Sequence, residues 1–203
     1  VAVTDTYASV VEYRAAAGKI VHVDDLTIRR DLVAVSRYID AQTGRFFGLV
    51  DPPEERFFWG DGSRVLRVDD IGSAAGLVIE IDLDGDGTPE TVVVSADYQL
   101  QPLNALTGVQ PGPYREIVLP PWSSLGSWPK GCLVSVTAAW GWPSVPEQVV
   151  AATIELTKIL RVEGPRATNR LDEGGVPMFL SRDAQARGII SNLLLPLSRA
   201  VVA

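Results

Sequence analysis

The residues most suited to chemistry lie in one short run, Asp82-Leu83-Asp84-Gly85-Asp86-Gly87-Thr88-Pro89-Glu90. Asp82, Asp84, Asp86 and Glu90 place carboxylates at nearly alternate positions of a glycine-containing turn. Hard oxygen ligands in that arrangement can converge on Ca²⁺, the one cofactor this sequence suggests and one that no other feature requires. The run departs from an EF-hand loop: the twelfth position counted from Asp82 is Val93 rather than a bidentate Glu, and its flanks alternate like strands. A second reading needs no metal, because Asp and Gly are also what a hairpin turn between residues 77–83 and 91–94 demands. Both readings stand at this point. A metal here would stiffen the loop, since no His or second carboxylate pair beside it offers a general acid or base.

Other chemically capable residues carry weaker patterns. Cys132 and His22 are the only cysteine and histidine, so one chain can build neither an intrachain disulfide nor a Cys/His metal cluster. Cys132 lies in the alternating run GCLVSVTA, where a small buried hydrophobe is expected. Ser36, Ser123 and Ser124 lack the G-x-S-x-G context, and no Walker-type or dinucleotide-type glycine loop is present. Asp24-Asp25 and Asp69-Asp70 suit helix capping and solvated turns. Trp59, Trp122, Trp128, Trp140 and Trp142 sit beside Pro and Gly, a context that fits core edges or subunit contacts better than stacking platforms for bases or sugars. The chain is therefore expected not to be an enzyme. A net charge of -7 and a pI near 4.7 disfavour phosphate-driven nucleic-acid binding. No stretch of 18 apolar residues suggests a membrane span, and the start lacks a signal-peptide pattern, so a soluble, cytosolic product is expected.

The elements that position these residues follow from periodicity. A helix is expected over 4–17, with Tyr7, Val10, Val11 and Arg14 in step and Gly18 ending it. A second spans 24–42, opening on Asp24 or Asp25 and carrying Ile28, Leu32, Val35 and Ile39 as a core stripe before Gly44. From about 56 to 139 the period changes to two, with strands expected at 77–83, 91–95, 114–119 and 133–139 in an antiparallel sheet joined by hairpins. A third helix spans 146–162: Ser144 and Glu147 offer a capping box, Val149, Ala152, Leu156 and Ile159 share a face, and Gly164-Pro165 stops it. A polar stretch over 163–181 precedes a last helix with Ala186, Ile190 and Leu193 on one side. The fold class expected is α+β: a small helical bundle near both ends, a β-rich antiparallel insertion in the middle and a C-terminal helical arm.

One run joins several of these elements. Val134-Ser135-Val136-Thr137-Ala138-Ala139-Trp140-Gly141-Trp142-Pro143-Ser144-Val145-Pro146-Glu147, a strand entering a G-W-P-x-V-P turn before a long helix, resembles the head-tail connector (adaptor) proteins of tailed bacteriophages. Other pieces follow in the family's order: Ile39-Asp40-Ala41-Gln42-Thr43-Gly44-Arg45-Phe46, then Arg56-Phe57-Phe58 and Gly60-Asp61-Gly62, then Asp97-Tyr98-Gln99-Leu100-Gln101-Pro102-Leu103-Asn104 ahead of Pro113-Tyr114. Together they span about residues 20 to 162. The Asp-rich loop departs from the family's simpler Asp-Gly turn.

The resemblance implies a core over 1–162 and an extended segment with a helix over 163–203, the latter reaching the portal through Ile189, Ile190, Leu193 and Leu194. It also implies a closed ring, commonly a dodecamer, docked on the portal protein, followed by downstream neck and tail proteins and threaded by double-stranded DNA without sequence-specific contact. Its place would be the virion neck, after synthesis in the bacterial host cytoplasm. Carboxylates facing the channel would then keep DNA from adhering. Two alternatives remain: a neighbouring neck protein such as a stopper or head-completion protein, and a calcium-dependent β-rich binding module.

Overall fold

The computed structural model describes residues 5–18, 23–108, 111–163, 184–194 and 197. It is an α+β protein with helices near both ends and an antiparallel sheet between them. The chain divides into two compact units, a continuous β-rich stretch over 48–144 and a helical unit assembled from the segments before and after it.

In the helical unit, α1 (Val10–Ala17) is shorter than the spacing of its apolar residues predicts. Ser9 caps it: the Ser9 hydroxyl accepts from Glu12 N, and the Glu12 carboxylate accepts from Ser9 N at 2.7 Å. This reciprocal box fixes the start six residues after the expected one and leaves Tyr7 outside the helix. The second helix, α2 (Asp25–Thr43), begins on Asp24, whose carboxylate accepts from Thr27 N, and ends on Gly44 in the left-handed conformation that Cβ-bearing residues resist. Its stripe of Ile28, Leu32, Val35 and Ile39 is wholly buried. Against it packs α3 (Glu147–Glu163), which buries Val149, Ala152 and Leu156. The α3 N-terminus rests on Pro146, whose carbonyl accepts from Val149 N and Val150 N. Glu147 is therefore the first helical residue, so the expected box with Ser144 is displaced by two positions. Arg161 binds Asp31 at 2.9 Å and locks the far end of α3 to α2. The last helix, α4 (Ala184–Ile189), runs into a π-helical turn at Ile190–Leu194, and both pack on α3.

The β unit holds β1 (Glu54–Trp59), β2 (Val65–Ile81), β3 (Thr91–Val92), β4 (Gln99–Gln101), β5 (Tyr114–Val118) and β6 (Leu133–Trp140). Their order is β1-β6-β2-β5-β4, with β3 paired to β2, so the last strand in sequence is internal and the sheet is not a simple run of hairpins. The first part of β2 pairs with β5 and its second part with β6, and register shifts near Arg67, Ile71 and Ser73 let one strand serve both. The strand expected at 91–95 is only two residues long and gives way to a 3-10 turn at Ser95–Asp97.

The β unit is closed at its base. Val50 N donates to Trp140 O and Trp142 N to Gly48 O, each at 2.8 Å, around a bridge between Leu49 and Gly141. Gly72 lies against this junction: a Cβ there would meet Leu49 Cδ1 at 2.6 Å, Trp142 C at 2.8 Å and Gly141 O at 3.0 Å. Two of those three atoms are backbone and cannot turn aside. Gly72→Ala should therefore destabilise the β unit by about 1–3 kcal/mol, the usual cost of overpacking a tight site; urea unfolding followed by tryptophan fluorescence measures the change.

Candidate functional site

The acidic run forms the loop of the β2–β3 hairpin, closed by the Ile81–Thr91 pair. Asp82 organises it. One carboxylate oxygen accepts from Gly85 N at 2.6 Å and the other from Gly87 N at 2.9 Å. Burial opposes ionisation of Asp82, but the Gly87 and Gly85 amides outweigh it and hold the carboxyl below its usual range. Asp84 accepts from Asp86 N and Asp86 from Thr88 N, so each carboxylate folds back onto the loop's own amides. Gly85 and Gly87 both have positive φ, which the turn requires and Cβ-bearing residues resist.

The same folding gathers charge. Ligand oxygens of Asp82, Asp84 and Asp86 all lie within 4.8 Å of one another, and Glu90 stands outside that group. The Glu90 carboxyl is nonetheless raised, by burial and then by the charges of Asp84, Asp86 and Asp82. Leu83, expected to continue the strand, instead lies in the loop with its side chain exposed.

The tryptophans divide into two groups. Trp128, Trp140 and Trp142 are buried; the Trp128 indole donates to Ile117 O and the Trp140 indole to Glu54 O at 2.7 Å. Arg56 lies over the Trp140 ring at 4.6 Å while binding Asp69 at 2.7 Å. Asp69 and Asp70 are thus strand residues of β2, Asp70 buried, rather than members of a solvated turn. Trp59 and Trp122 remain exposed. Cys132 precedes β6 and is half-buried; burial pushes its thiol up, away from nucleophilic character.

Of the residues expected at a partner contact, Leu194 is fully buried in the helical unit, Ile189 and Ile190 are half-buried, and the Leu193 side chain lies outside the described residues. The polar segment over 164–183 and His22 also lie outside them. Among the described residues, no helix is long and apolar enough to cross a membrane.

Sequence reading passes over one buried polar cluster. Tyr7 N donates to the Ser36 hydroxyl at 3.0 Å, the Tyr7 hydroxyl donates to Asp40, and Phe47 N donates to the Tyr7 hydroxyl at 2.9 Å. Arg37 completes the cluster, pairing with Asp40 at 3.2 Å and lying over the Tyr7 and Phe46 rings. Burial pushes the Asp40 carboxyl up from its ordinary 3.8 to about 6, against the opposing pull of Tyr7 and Arg37. Burial and Asp40 likewise raise the Tyr7 phenol. The cluster clasps the segments on both sides of α2; the only signal for it in the sequence is Asp40, a carboxylate one position from the buried stripe.

Neither a family model nor a curated protein matches the chain. Among solved structures, a chain of the virion of the native gene transfer agent (GTA) particle is 16% identical, with a TM-score of 0.50, over 100% of this chain and 96% of that one. A chain of the neck of the empty GTA particle, computed with C6 symmetry, is 17% identical, with a TM-score of 0.47, over 79% and 80% of the two chains. The virion match shows a shared fold.

The Asp40 clasp makes stability depend on pH. Because the folded carboxyl titrates above its unfolded value, its protonated form stabilises the fold; that contribution is full below about 3.8 and is lost as pH rises through about 6. Urea unfolding at pH 4 and pH 7 should reveal a loss of at most about 3 kcal/mol from this site. Asp40→Asn, which keeps an acceptor for Tyr7 without the charge, should flatten that part of the profile.

Proposed function

We propose that the chain is a structural, non-enzymatic virion protein: a head-tail connector (adaptor) subunit that forms a closed ring in the neck, docks on the portal and joins capsid to tail. The observation that carries this reading is the fold likeness to a chain of the GTA virion. The ordered motifs between residues 20 and 162 support it and narrow it to the connector. The candidate reactive groups are engaged structurally: Ser36 takes the Tyr7 amide and donates to Leu32 O, Asp40 takes the Tyr7 hydroxyl, and the Cys132 thiol is held protonated.

In this reading the chain is made in the host cytoplasm, twelve copies close the ring, and double-stranded DNA passes through its centre past acidic side chains that do not hold it. Portal contact falls to the C-terminal segment, where Ile189 and Ile190 offer apolar surface and Leu194 anchors the helix to its own unit. Native mass spectrometry and electron microscopy of the purified chain, alone and with the portal of the same particle, test the assignment. Closed rings that bind the portal are expected; a chain that stays monomeric and ignores the portal contradicts it. A stopper would instead bind a preformed connector ring.

A second reading concerns the hairpin loop. The convergence of Asp82, Asp84 and Asp86 within 4.8 Å favours a Ca²⁺ ion that stiffens the tip, as in a calcium-dependent β-rich module. Titration calorimetry should then give Ca²⁺ binding heat on the unmutated chain and none on Asp84→Ala. No heat from the unmutated chain leaves the loop a hairpin turn.

A further inference from the structure

The sheet has an uncovered apolar face. Cross-strand register puts Phe57, Ser135, Glu80 and Val92 in one row, Trp59 and Leu133 in a second, and Glu55, Thr137 and Val78 in a third. Side chains directly opposite in a ladder share a face, as do residues two apart along a strand, so all of these point the same way. On that face Phe57 and Trp59 are 55% and 69% exposed, and Val78 and Val92 are also exposed. The opposite face carries Ile79, Ile81, Val134, Val136 and Ala138, all buried. Large aromatics uncovered on a regular sheet beside aliphatic neighbours are the composition of a contact surface.

Charge narrows the choice of occupant. Residues 48–144 contain thirteen acidic and five basic side chains, a net of -8, while the rest of the chain contains twelve acidic and thirteen basic, a net of +1; together they make the -7 of the whole. Glu55 and Glu80 lie on the uncovered face itself. Two such faces meeting each other would set like charges together at a contact, which costs rather than stabilises. A complementary surface stands on the helical unit, where Leu26, Arg29 and Arg30 occupy positions i, i+3 and i+4 of α2. Leu26 is 80% exposed; among the described residues Arg29 pairs with Asp5 at 3.2 Å and Arg30 with Asp31 at 3.9 Å, and the two arginine side chains remain 62% and 78% exposed.

We propose that the occupant is a second copy of this chain: the Phe57–Trp59 sheet face of one subunit docks on the Leu26–Arg29–Arg30 surface of the next. The contact is heterologous, since it joins two different surfaces; its repeats give a ring where the rotation between subunits closes, and not a two-fold dimer. The inference rests on the ring reading above and specifies which surfaces build the ring.

Trp59→Ser and Arg30→Glu test it in the full chain. Both positions are exposed, so thermal unfolding should match the unmutated chain; Val92→Ser, on the same face, serves in place of Trp59→Ser if that variant melts early. Under the condition in which the unmutated chain forms rings, alone or on the portal, each variant should need about tenfold or more protein for half-assembly. Mixed in equal amounts, the two retain one compatible pair of surfaces and should form a one-to-one heterodimer by native mass spectrometry, with no larger species. Rings that persist in either variant, or a mixture without heterodimer, overturn the inference and leave the connector reading intact. An unmutated chain that forms no ring under any condition overturns both.

Discussion

The architecture depends on one closure, the antiparallel junction between residues 48–50 and 140–142. A unit of 97 residues inserted into a helical frame must begin and end at neighbouring points. Two backbone hydrogen bonds and the Leu49–Gly141 bridge provide this, and Gly141 N donates to Asp70 O at 2.7 Å to bind the junction to β2. Because the returning strand must reach the junction, β6 runs through the sheet between β1 and β2 although it comes last in sequence. The buried indoles of Trp140 and Trp142 pack where the chain leaves the sheet, and Gly72 gives the room that a side chain would take away. The Trp140-Gly141-Trp142 sequence that resembles the connector family therefore has a physical task at the point where the insertion closes.

On the far side of the closure, the sheet separates two kinds of surface. Its inner face is aliphatic and aromatic and sustains the unit's core, with roughly 1.5–3 kcal/mol for each fully buried side chain such as Ile79, Ile81 or Ile117. Its outer face keeps large apolar side chains in solvent amid acidic ones, an arrangement that adds nothing to folding in isolation. The concentration of negative charge in this unit gives that face directionality, since it resists a copy of itself and accepts a neutral or basic surface. The proposed ring would draw on that asymmetry.

Much of the helical frame was legible in the sequence because helical periodicity and capping chemistry are local. Ile28, Leu32, Val35 and Ile39 announced the core face of α2, with Asp24 and Gly44 marking its ends. The expected start of α1 lay too early because apolar spacing extends back to Tyr7, whereas the Ser9–Glu12 box decides where the first turn closes. Within the sheet, β6 and the end of β2 were readable from alternation. The first twelve residues of β2 were not: its register shifts and the exposed Ala74-Ala75-Gly76 segment break the two-residue period. Strand order was equally hidden, as the β1–β6 and β2–β6 pairings join residues 53 to 84 positions apart. In the candidate loop, sequence spacing brought Asp82, Asp84, Asp86 and Glu90 into one set; ligand oxygens of the three aspartates lie within 4.8 Å of one another, and Glu90 stands outside that group. The Tyr7–Ser36–Asp40 clasp rests on contacts across 29 and 33 residues and leaves no local pattern.

The central claim, a ring-forming structural subunit between head and tail, is tested most directly by an electron cryo-microscopy map of the assembled neck. The expected map holds a closed ring of this chain seated on the portal, with each β unit's Phe57–Trp59 face covered by the α2 surface of the next subunit and DNA along the central axis. A map in which the neck is built without this chain, or in which the chain is present as isolated copies, would contradict it.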